Sequence, residues 1–483
     1  MTNNQELKQK TISGLFWQFL QKSSGQIVSF VISVVLARLL MPEEFGVVAL
    51  AGMFTILTGI FIDCGFGSAL IQKKDANELD YSTVFWVQTF FSIIVYLIVY
   101  SLSPWFAVLF HEERLIPVVR VLGLGMILGT IGGMQNVIVT RRMAFKTYFY
   151  ATMVGSILSG GIGVWLAYRN WGVWALVVQN LSSTIINTIT VFVQVRWLPK
   201  FLFSIERFKT LFAVASKFML SSLIGTGFGQ LKGYLIGAKF TSSDLAFYNR
   251  GEGVPNIFIR NIDSSINAVL FPVFSKIQDD KEAVKNAVRR SIKISSYIVF
   301  PMLLGLAAIA DHLVIILYTE KWAACIPFMQ IFCVSECFTI LNTANMQALR
   351  GMGEVNTLLK LEFYKKPIMV IILIITMFIS PFAIALGMCI YGVYTMFVNA
   401  FPNRRLIHYH IKEQLKDVSE NVAIALAMAL VVNLVGRINM NVYFLVCVQV
   451  LVGVFIYMSL SYMFQIESWV YIKEETLKYF QKR

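Results

Sequence analysis

Charged residues are scarce in this chain of 483 residues. Asp, Glu, Lys and Arg make up only 14% of the sequence and 57% of it is hydrophobic, whereas soluble domains average about 25% charged residues. This composition excludes a soluble globular protein and is typical of a protein that crosses a membrane several times. The polar N-terminus, MTNNQELKQK, lacks the short apolar core and cleavage site of a signal peptide, so we expect the helix beginning near Ile12 to be retained.

Residues that hold metals or form disulfides are few and unsuitably spaced. All six cysteines lie in or beside apolar segments, and of the four histidines only His408 and His410 are close together, in a basic loop. A cysteine in such surroundings usually serves as a small apolar side chain. We therefore expect no disulfide, no metal and no cofactor.

Sequence signals for nucleotide or nucleic-acid binding are also weak. The pattern GxxxxGK[ST] is missing, and the glycine-rich GTGFGQLKG lacks its spacing, which excludes ATP hydrolysis by a phosphate loop. The net charge of +14 is compatible with nucleic-acid binding. The basic residues, however, lie in short loops between apolar runs, where Lys and Arg set membrane topology. We therefore expect no nucleic-acid partner.

The stretch from Ile12 to Lys74 contains two long apolar runs separated by a short acidic break. Each run is long enough to cross a bilayer core of about 30 Å, which predicts a helical hairpin across the membrane. A similar break returns about 200 residues later, where SSDLAF at 242–247 corresponds to PEEFGV at 42–47. We interpret this as an internal repeat, the alternative being chance similarity between two membrane hairpins.

About fourteen apolar runs predict an all-α integral membrane protein. Six spans per repeat is an even number, so we expect two six-helix bundles related by a pseudo-twofold axis along the membrane normal, followed by two extra helices. The predicted divisions are residues 1–200, 201–412 and 413–483, and the run KIQDDKEAVKNAVRR is expected to form a short surface helix. Among the spans, we expect the second near 45–71, the eighth near 254–275, the ninth near 292–318 and the eleventh near 361–380.

Lys and Arg are concentrated in every second loop, on the side of the N-terminus. Because the side rich in Lys and Arg faces the cytoplasm, both termini are predicted to be cytoplasmic.

Ionisable residues inside the spans are the candidate functional residues, because burying charge in hydrocarbon is costly. Lys22 lies on a polar face of the first helix, and Arg260 lies on a polar face of the eighth span with Asp263. Cations in an enclosed cavity favour a phosphate-bearing passenger. The predicted substrate-binding residues are Lys22, Lys232, Arg260 and Arg120, and the candidates for ion coupling are Asp63, Asp263 and Glu336.

Each of these roles has a structural alternative. Arg260 and Asp263 are three residues apart and could form a salt bridge that only fixes helix packing. Arg120 lies near the end of its span, where it could extend to the membrane surface instead of lining a cavity. Asp63 and Glu336 could serve as internal hydrogen-bond partners.

Several stretches resemble a known family. They are LARLLMPEEFGVVALAGMFTILTGIFIDCGFGSALIQKKD, LPKFLFS, FPVFSKIQDDKEAVKNAVRRS and EKWAACIPFMQIF. Together they resemble the Wzx-type polysaccharide flippases of the MOP exporter superfamily, and most of all its branch of colanic and teichuronic acid exporters. The similarity covers most of the first 350 residues.

This resemblance implies a two-lobed bundle of fourteen helices in the cytoplasmic (inner) membrane of a bacterium. Such a protein would be a transporter and not an enzyme. It would move undecaprenyl-diphosphate-linked oligosaccharide repeat units between leaflets by alternating access. Its expected partners are membrane lipid, a polysaccharide polymerase and glycosyltransferases. The alternatives are a peptidoglycan-precursor flippase, a cation-coupled drug exporter or, in another class, a multi-pass polysaccharide polymerase.

Overall fold

A computed structural model of the protein describes the backbone of residues 3–481 and the side chains of residues 13, 17, 18, 20–267 and 270–474. Within residues 3–481 the backbone forms α-helices and one 3₁₀ helix, and no strand. The all-α fold predicted from the sequence is confirmed. The predicted cytoplasmic location of both termini concerns residues 1, 2, 482 and 483, which lie outside the described residues.

The chain divides into two compact units, Met1–Ala246 and Phe247–Arg483, here called unit 1 and unit 2. The divisions predicted at residues 200 and 412 stay predictions. The helices of unit 1 are α1 (Asn3–Leu39), α2 (Pro42–Asp63), α3 (Phe66–Gln72), α4 (Glu78–Leu109), α5 (Leu115–Arg141), α6 (Phe145–Tyr168), α7 (Val173–Val195) and α8 (Ile205–Lys239).

Unit 2 begins inside α9, which spans the division at residue 246. Its elements are α9 (Ser242–Lys276), α10 (Lys281–Ala308), α11 (Ala310–Tyr318), a 3₁₀ helix (Glu320–Cys325), α12 (Ile326–Gly351), α13 (Val355–Thr376), α14 (Pro381–Leu406), α15 (Ile411–Val435), α16 (Val442–Met463) and α17 (Glu467–Gln481).

Thirteen of the described helical segments are long and apolar enough to cross a membrane. The eleventh predicted span corresponds to α13, which is not among the thirteen. Four charged residues near the start of this helix make it too polar, namely Lys360, Glu362, Lys365 and Lys366. The two-bundle symmetry stays a prediction.

The two hairpin breaks that suggested a repeat are capped in similar ways. At the start of α2 the Glu44 carboxylate accepts a hydrogen bond from the backbone N–H of Met41 at 2.7 Å. At the start of α9 the Asp244 carboxylate accepts one from the backbone N–H of Thr241 at 3.1 Å. In each case a carboxylate three residues into the helix satisfies an N–H that the helix cannot pair.

Some span boundaries predicted from the sequence are wrong in detail. The predicted span 45–71 is interrupted at Cys64 and Gly65, whose φ angles of 48° and 75° end α2 before α3 begins. The predicted ninth span is divided at Ile309 into α10 and α11. The expected separate surface helix is instead the first part of α10, where Asp280 accepts hydrogen bonds from two backbone N–H groups of the first turn.

Helix packing in each unit brings together segments distant in sequence. In unit 1, α6 packs against α1 and α7, while α5 packs against α2, α4 and α7. In unit 2, α12 packs against α10 and α14, and α10 packs against α15. The large side chains that are fully buried include Phe66 and Leu70 of α3 in unit 1, and Tyr248 of α9 and Trp322 of the 3₁₀ helix in unit 2.

Candidate functional site

Lys22 lies on the polar face of α1 and is exposed. The neighbouring Gln21 donates a hydrogen bond from Nε2 to Oγ1 of Thr152 on α6 at 3.2 Å. This contact orients α1 against α6 and leaves the Lys22 side chain outside the packed seam. A primary ammonium at this position within an apolar helix requires water, an anion or another polar partner.

The other two predicted cations of unit 1 have different surroundings. Lys232 is half-buried on α8, beside Gly233, at which α8 packs closely against Met53 of α2. Arg120 is engaged with α4, because its Nε donates to Oγ of Ser103 at 2.9 Å and its guanidinium lies 4.1 Å from the centre of the Tyr100 ring. A shared substrate-binding role for these cations stays a prediction.

Asp63 at the end of α2 accepts a hydrogen bond from Nε2 of Gln88 at 3.0 Å and one from the backbone N–H of Gly67 at 3.4 Å. The carboxylate thereby caps the start of α3 and ties it to α4. Glu336 on α12 accepts a hydrogen bond from Oγ1 of Thr339 at 2.9 Å. Asp63 and Glu336 thus both form internal hydrogen bonds, the structural alternative that the sequence analysis had raised. Ion coupling through either carboxylate stays a prediction.

In unit 2 the carboxylate of Asp263 is bonded to neutral side chains. It accepts from Nδ2 of Asn267 at 2.8 Å and from Oγ1 of Thr343 on α12. Asn267 in turn accepts from Gln347, also on α12. Arg260 is exposed, and no ion pair between the described side chains joins it to Asp263. Asp263 therefore does not form the salt bridge with Arg260 that the sequence suggested. Its carboxylate instead links α9 to α12 through Thr343.

The predicted site residues fall in both units. Lys22, Asp63, Arg120 and Lys232 belong to unit 1, and Arg260, Asp263 and Glu336 belong to unit 2. In unit 2, Asp263 of α9 accepts a hydrogen bond from Thr343 of α12.

Sequence reasoning missed a neutral polar groove between α5 and α7, here called the α5–α7 groove. It contains two cavities of about 360 Å³ and about 230 Å³, which share Thr184. The α7 wall carries amide and hydroxyl side chains, and the α5 wall is rich in glycine. The larger cavity is also bounded by α2, at Val48, Gly52, Thr55 and Ile56. The polar residues of the walls are Thr55, Asn136, Asn180, Ser183, Thr184, Asn187 and Thr188.

The groove exists because α5 and α7 approach closely without filling the space between them. A Cβ on Gly132 would lie 2.8 Å from Oγ1 of Thr188, whereas one on Gly129 would lie 3.9 Å from Thr184 and one on Gly125 would have no atom within 4 Å. Close contact at one level thus alternates with open space at another. Asn136 lines the smaller cavity, and its buried Oδ1 atom has no hydrogen-bond partner among the described residues.

Periodicity in α7 was the signal that could have revealed this groove. Its polar residues at 180, 183, 184, 187 and 188 recur at the spacing of one helical face. The opposite face carries the exposed apolar side chains Ile185, Ile189 and Val193. Since an apolar face suits lipid, the polar face is directed away from it.

A helical protein with thirteen possible spans and a polar groove inside its apolar helices belongs to the class of multi-pass membrane proteins. Residues 35–327 match the family described as polysaccharide biosynthesis protein. Because the match covers more than half of the sequence, the chain belongs to this family.

Two curated relatives are similar over most of their length. The chain is 24% identical over 361 residues to the teichuronic acid biosynthesis protein TuaB of Bacillus subtilis, covering 74% of each chain. It is 26% identical over 341 residues to the succinoglycan biosynthesis transport protein ExoT of Rhizobium meliloti, covering 70% of this chain and 68% of that protein. The protein is a membrane transporter of polysaccharide biosynthesis, and the resemblance recognised in its sequence is confirmed.

A solved structure shares the fold. The lipid II flippase MurJ, in an inward closed conformation, aligns with a TM-score of 0.73 at 14% identity, covering 93% of this chain and 98% of that one. At this identity the likeness concerns the fold alone.

Proposed function

We propose that the protein moves a polyprenyl-diphosphate-linked oligosaccharide from the cytoplasmic to the outer leaflet of a bacterial cytoplasmic membrane, by alternating access. The observation that carries this proposal is the α5–α7 groove, with its neutral amides and hydroxyls inside apolar helices. A sugar has many hydroxyl groups and no charge, so its transfer through hydrocarbon requires hydrogen-bond partners of this kind.

The diphosphate of such a substrate needs a different environment. Its charge is costly to place near hydrocarbon, and fixed cations offset that cost. We propose that Lys22, Lys232, Arg260 and Arg120 supply these cations. Several weak contacts suit transport better than one strong site, because the substrate must also leave. Lys22 and Arg260 are the strongest candidates, since both are exposed on spanning helices.

Energy coupling is assigned to carboxylates within the spans. We propose that a proton or cation exchanges at Asp63, Asp263 or Glu336 during the cycle. The hydrogen-bond partners Gln88 and Thr343 would hold two of these carboxylates in position. Transport by Asp63→Asn, Asp263→Asn and Glu336→Gln variants that still responds normally to collapse of the proton or sodium gradient would exclude all three.

The test of the transport function is complementation in a host that lacks its own polysaccharide flippase. Wild-type protein is expected to restore surface polysaccharide and to reduce the lipid-linked intermediate that accumulates on the cytoplasmic side. Restoration of growth in a host depleted of its lipid II flippase, without restored polysaccharide, would support the peptidoglycan-precursor alternative. Elongated polymer made from purified lipid-linked repeat units would instead support a polymerase.

The proposed direction of transport implies two kinds of partner protein. A glycosyltransferase that completes the repeat unit on the cytoplasmic side would precede this step, and a polymerase on the outer side would follow it. Genes for such enzymes beside the gene for this protein would support the proposal. Pull-down of the full chain from membranes tests whether either enzyme is bound directly.

A further inference from the structure

A cavity of about 640 Å³ lies in unit 2 between α10 and α17, and it is here called the headgroup cavity. Its wall includes Gln465, which follows the end of α16 at Met463. The cavity therefore adjoins the end of a span, at the level where lipid headgroups meet water. The loop charges predict that this end of the unit faces the cytoplasm.

The two walls of the headgroup cavity carry opposite charge. The α10 wall contributes the cations Arg289, Arg290 and Lys293, and the α17 wall contributes the carboxylates Glu467 and Glu474. Such a division of charge does not suit a simple anion, because the α17 wall would repel it. It suits a molecule that carries a negative and a positive group a few bonds apart.

Arg290 is held in place by stacking on an aromatic ring. Its guanidinium carbon lies 3.6 Å from the centre of the Tyr471 ring. This stacking fixes the guanidinium plane, and the N–H donors lie at the edge of that plane. Within the part of the chain whose side chains are described, Arg290 forms no ion pair, and the same holds for Glu474. Among the side chains of residues 20–267 and 270–474, the cavity thus presents one cation and one carboxylate that form no ion pair.

The remaining charges are already engaged in fixing the walls. Asp417 of α15 pairs with Arg289 at 2.7 Å and with Lys293 at 3.2 Å. Lys293 also pairs with Glu467, and its backbone carbonyl accepts a hydrogen bond from Ser468 at 3.2 Å. These contacts tie α17 to α10 and preorganise the cavity, so a ligand would not need to order the helices on binding.

An exposed apolar surface adjoins the cavity. Tyr462, Met463 and Phe464 are 62%, 66% and 60% exposed, directly before the lining residue Gln465. Acyl chains could cover these side chains while the polar end of the same molecule enters the cavity. A soluble ligand would leave this surface uncovered.

We propose that the headgroup cavity binds a zwitterionic phospholipid that has a primary ammonium group, with its phosphate against Arg290 and its ammonium against Glu474. Phosphate forms strong charge-assisted hydrogen bonds with a guanidinium edge, and a primary ammonium can donate hydrogen bonds to a carboxylate. This binding is independent of the substrate and of the transport direction proposed above. It would join α10 and α17 through a lipid.

The experiment uses the full chain, purified in detergent and depleted of lipid, with phosphatidylethanolamine added back. The melting temperature is expected to rise by several degrees, because a ligand that binds only the folded state stabilises it. Phosphatidylglycerol has no ammonium, and the ammonium of phosphatidylcholine is fully methylated and donates no hydrogen bond, so both are expected to raise the melting temperature less. An equal or larger shift with either lipid would overturn the proposal.

Substitutions of the lining residues test whether the lipid binds in the headgroup cavity. Arg290→Gln and Glu474→Gln are each expected to weaken phosphatidylethanolamine binding about tenfold, as loss of a charged hydrogen bond implies. The control is Arg405→Gln, which removes an exposed arginine outside the cavity. Each shift is compared with the melting temperature of the same lipid-free variant, and lipid retention by native mass spectrometry provides a second measurement. Unchanged binding in both cavity variants would overturn the assignment, as would equal stabilisation by soluble phosphoethanolamine.

Discussion

Gly46 and Ser242 touch through their backbones. A Cβ on Gly46 would lie 1.8 Å from the carbonyl oxygen of Ser242 and 2.4 Å from its carbonyl carbon. Gly46 lies near the start of α2 and Ser242 at the start of α9, so the two hairpin breaks first noticed as a possible repeat meet within unit 1. Because backbone atoms form this contact, no side-chain rotation could make room for a larger residue.

Replacement of Gly46 by alanine is therefore expected to destabilise the protein by about 1–3 kcal/mol, the usual cost of overpacking. Thermal unfolding of the purified protein measures this effect. Gly52→Ala is the matched control on the same helix, because a Cβ there meets nothing within 4 Å. That variant is expected to be neutral or slightly more stable, since alanine favours helix over glycine. Equal melting temperatures for the two variants would contradict the contact.

The ionisation of Glu112 is expected to make the stability of the folded protein depend on pH. Its carboxylate accepts hydrogen bonds from Nε of Arg114 at 2.8 Å and from Oγ of Ser242 at 3.2 Å. The hydrogen bond from Arg114 lowers the pKa of Glu112 below its usual range. A carboxyl whose pKa is lower in the folded state stabilises the fold while it is ionised, and loses that contribution as pH falls through the folded pKa.

We therefore expect Glu112→Gln to be less stable than the wild type at pH 7. The difference should begin to shrink near about pH 4, the ordinary pKa range of a glutamate, and vanish only below the lowered pKa of the folded state. Melting temperatures across this pH range measure the difference. The adjacent, exposed Glu113 provides the control variant Glu113→Gln. A stability difference that persists unchanged in acid would assign the effect of Glu112 to packing.

Charge reversal tests the proposed cations. Lys22→Glu and Arg260→Glu are expected to stop export, because a carboxylate repels the diphosphate, while Lys22→Arg retains part of it. Surface polysaccharide and membrane protein level are measured together in a host without its own flippase. Normal surface polysaccharide in both reversals would exclude these cations from substrate binding.

The α5–α7 groove is tested by isosteric changes that remove hydrogen bonds and keep shape. Thr184→Val and Asn187→Leu are expected to lower transport about three- to tenfold each, the loss of one or two hydrogen bonds to the sugar. Ile189→Leu on the lipid-facing side of α7 serves as the control. Unaltered transport in both groove variants, at equal protein level, would show that the groove results from helix packing and does not bind the sugar.

Membrane orientation is tested by reporter fusions. One fusion follows Arg483, and the other is placed in the loop from His111 to Arg114. The concentration of Lys and Arg on one side predicts that the C-terminus is cytoplasmic and that this loop lies outside. The two reporters should therefore give opposite signals, and the same signal from both would contradict the predicted number of spans.

Sequence alone determined the features that depend on composition and local pattern. Long apolar runs predicted the helices, because a chain in lipid must pair its backbone groups within each span. Local pattern also marked both hairpin breaks, where Glu44 and Asp244 lie three residues after the helix caps. The four charged residues of α13 were visible in the sequence, yet that segment was still predicted as a span.

Tertiary structure alone decided which residues meet. Asp263 could bond to Arg260 on its own helix, but the packing of α9 against α12 offers it Thr343 instead. The α5–α7 groove likewise needs two helices at a particular separation. The glycines of α5 do not by themselves indicate a groove, because the space beside them depends on where α7 packs. The pairing of α10 cations with α17 carboxylates joins residues far apart in the chain. The physical reason is that periodicity assigns a side chain to a face of its own helix, whereas its partner depends on how the helices pack.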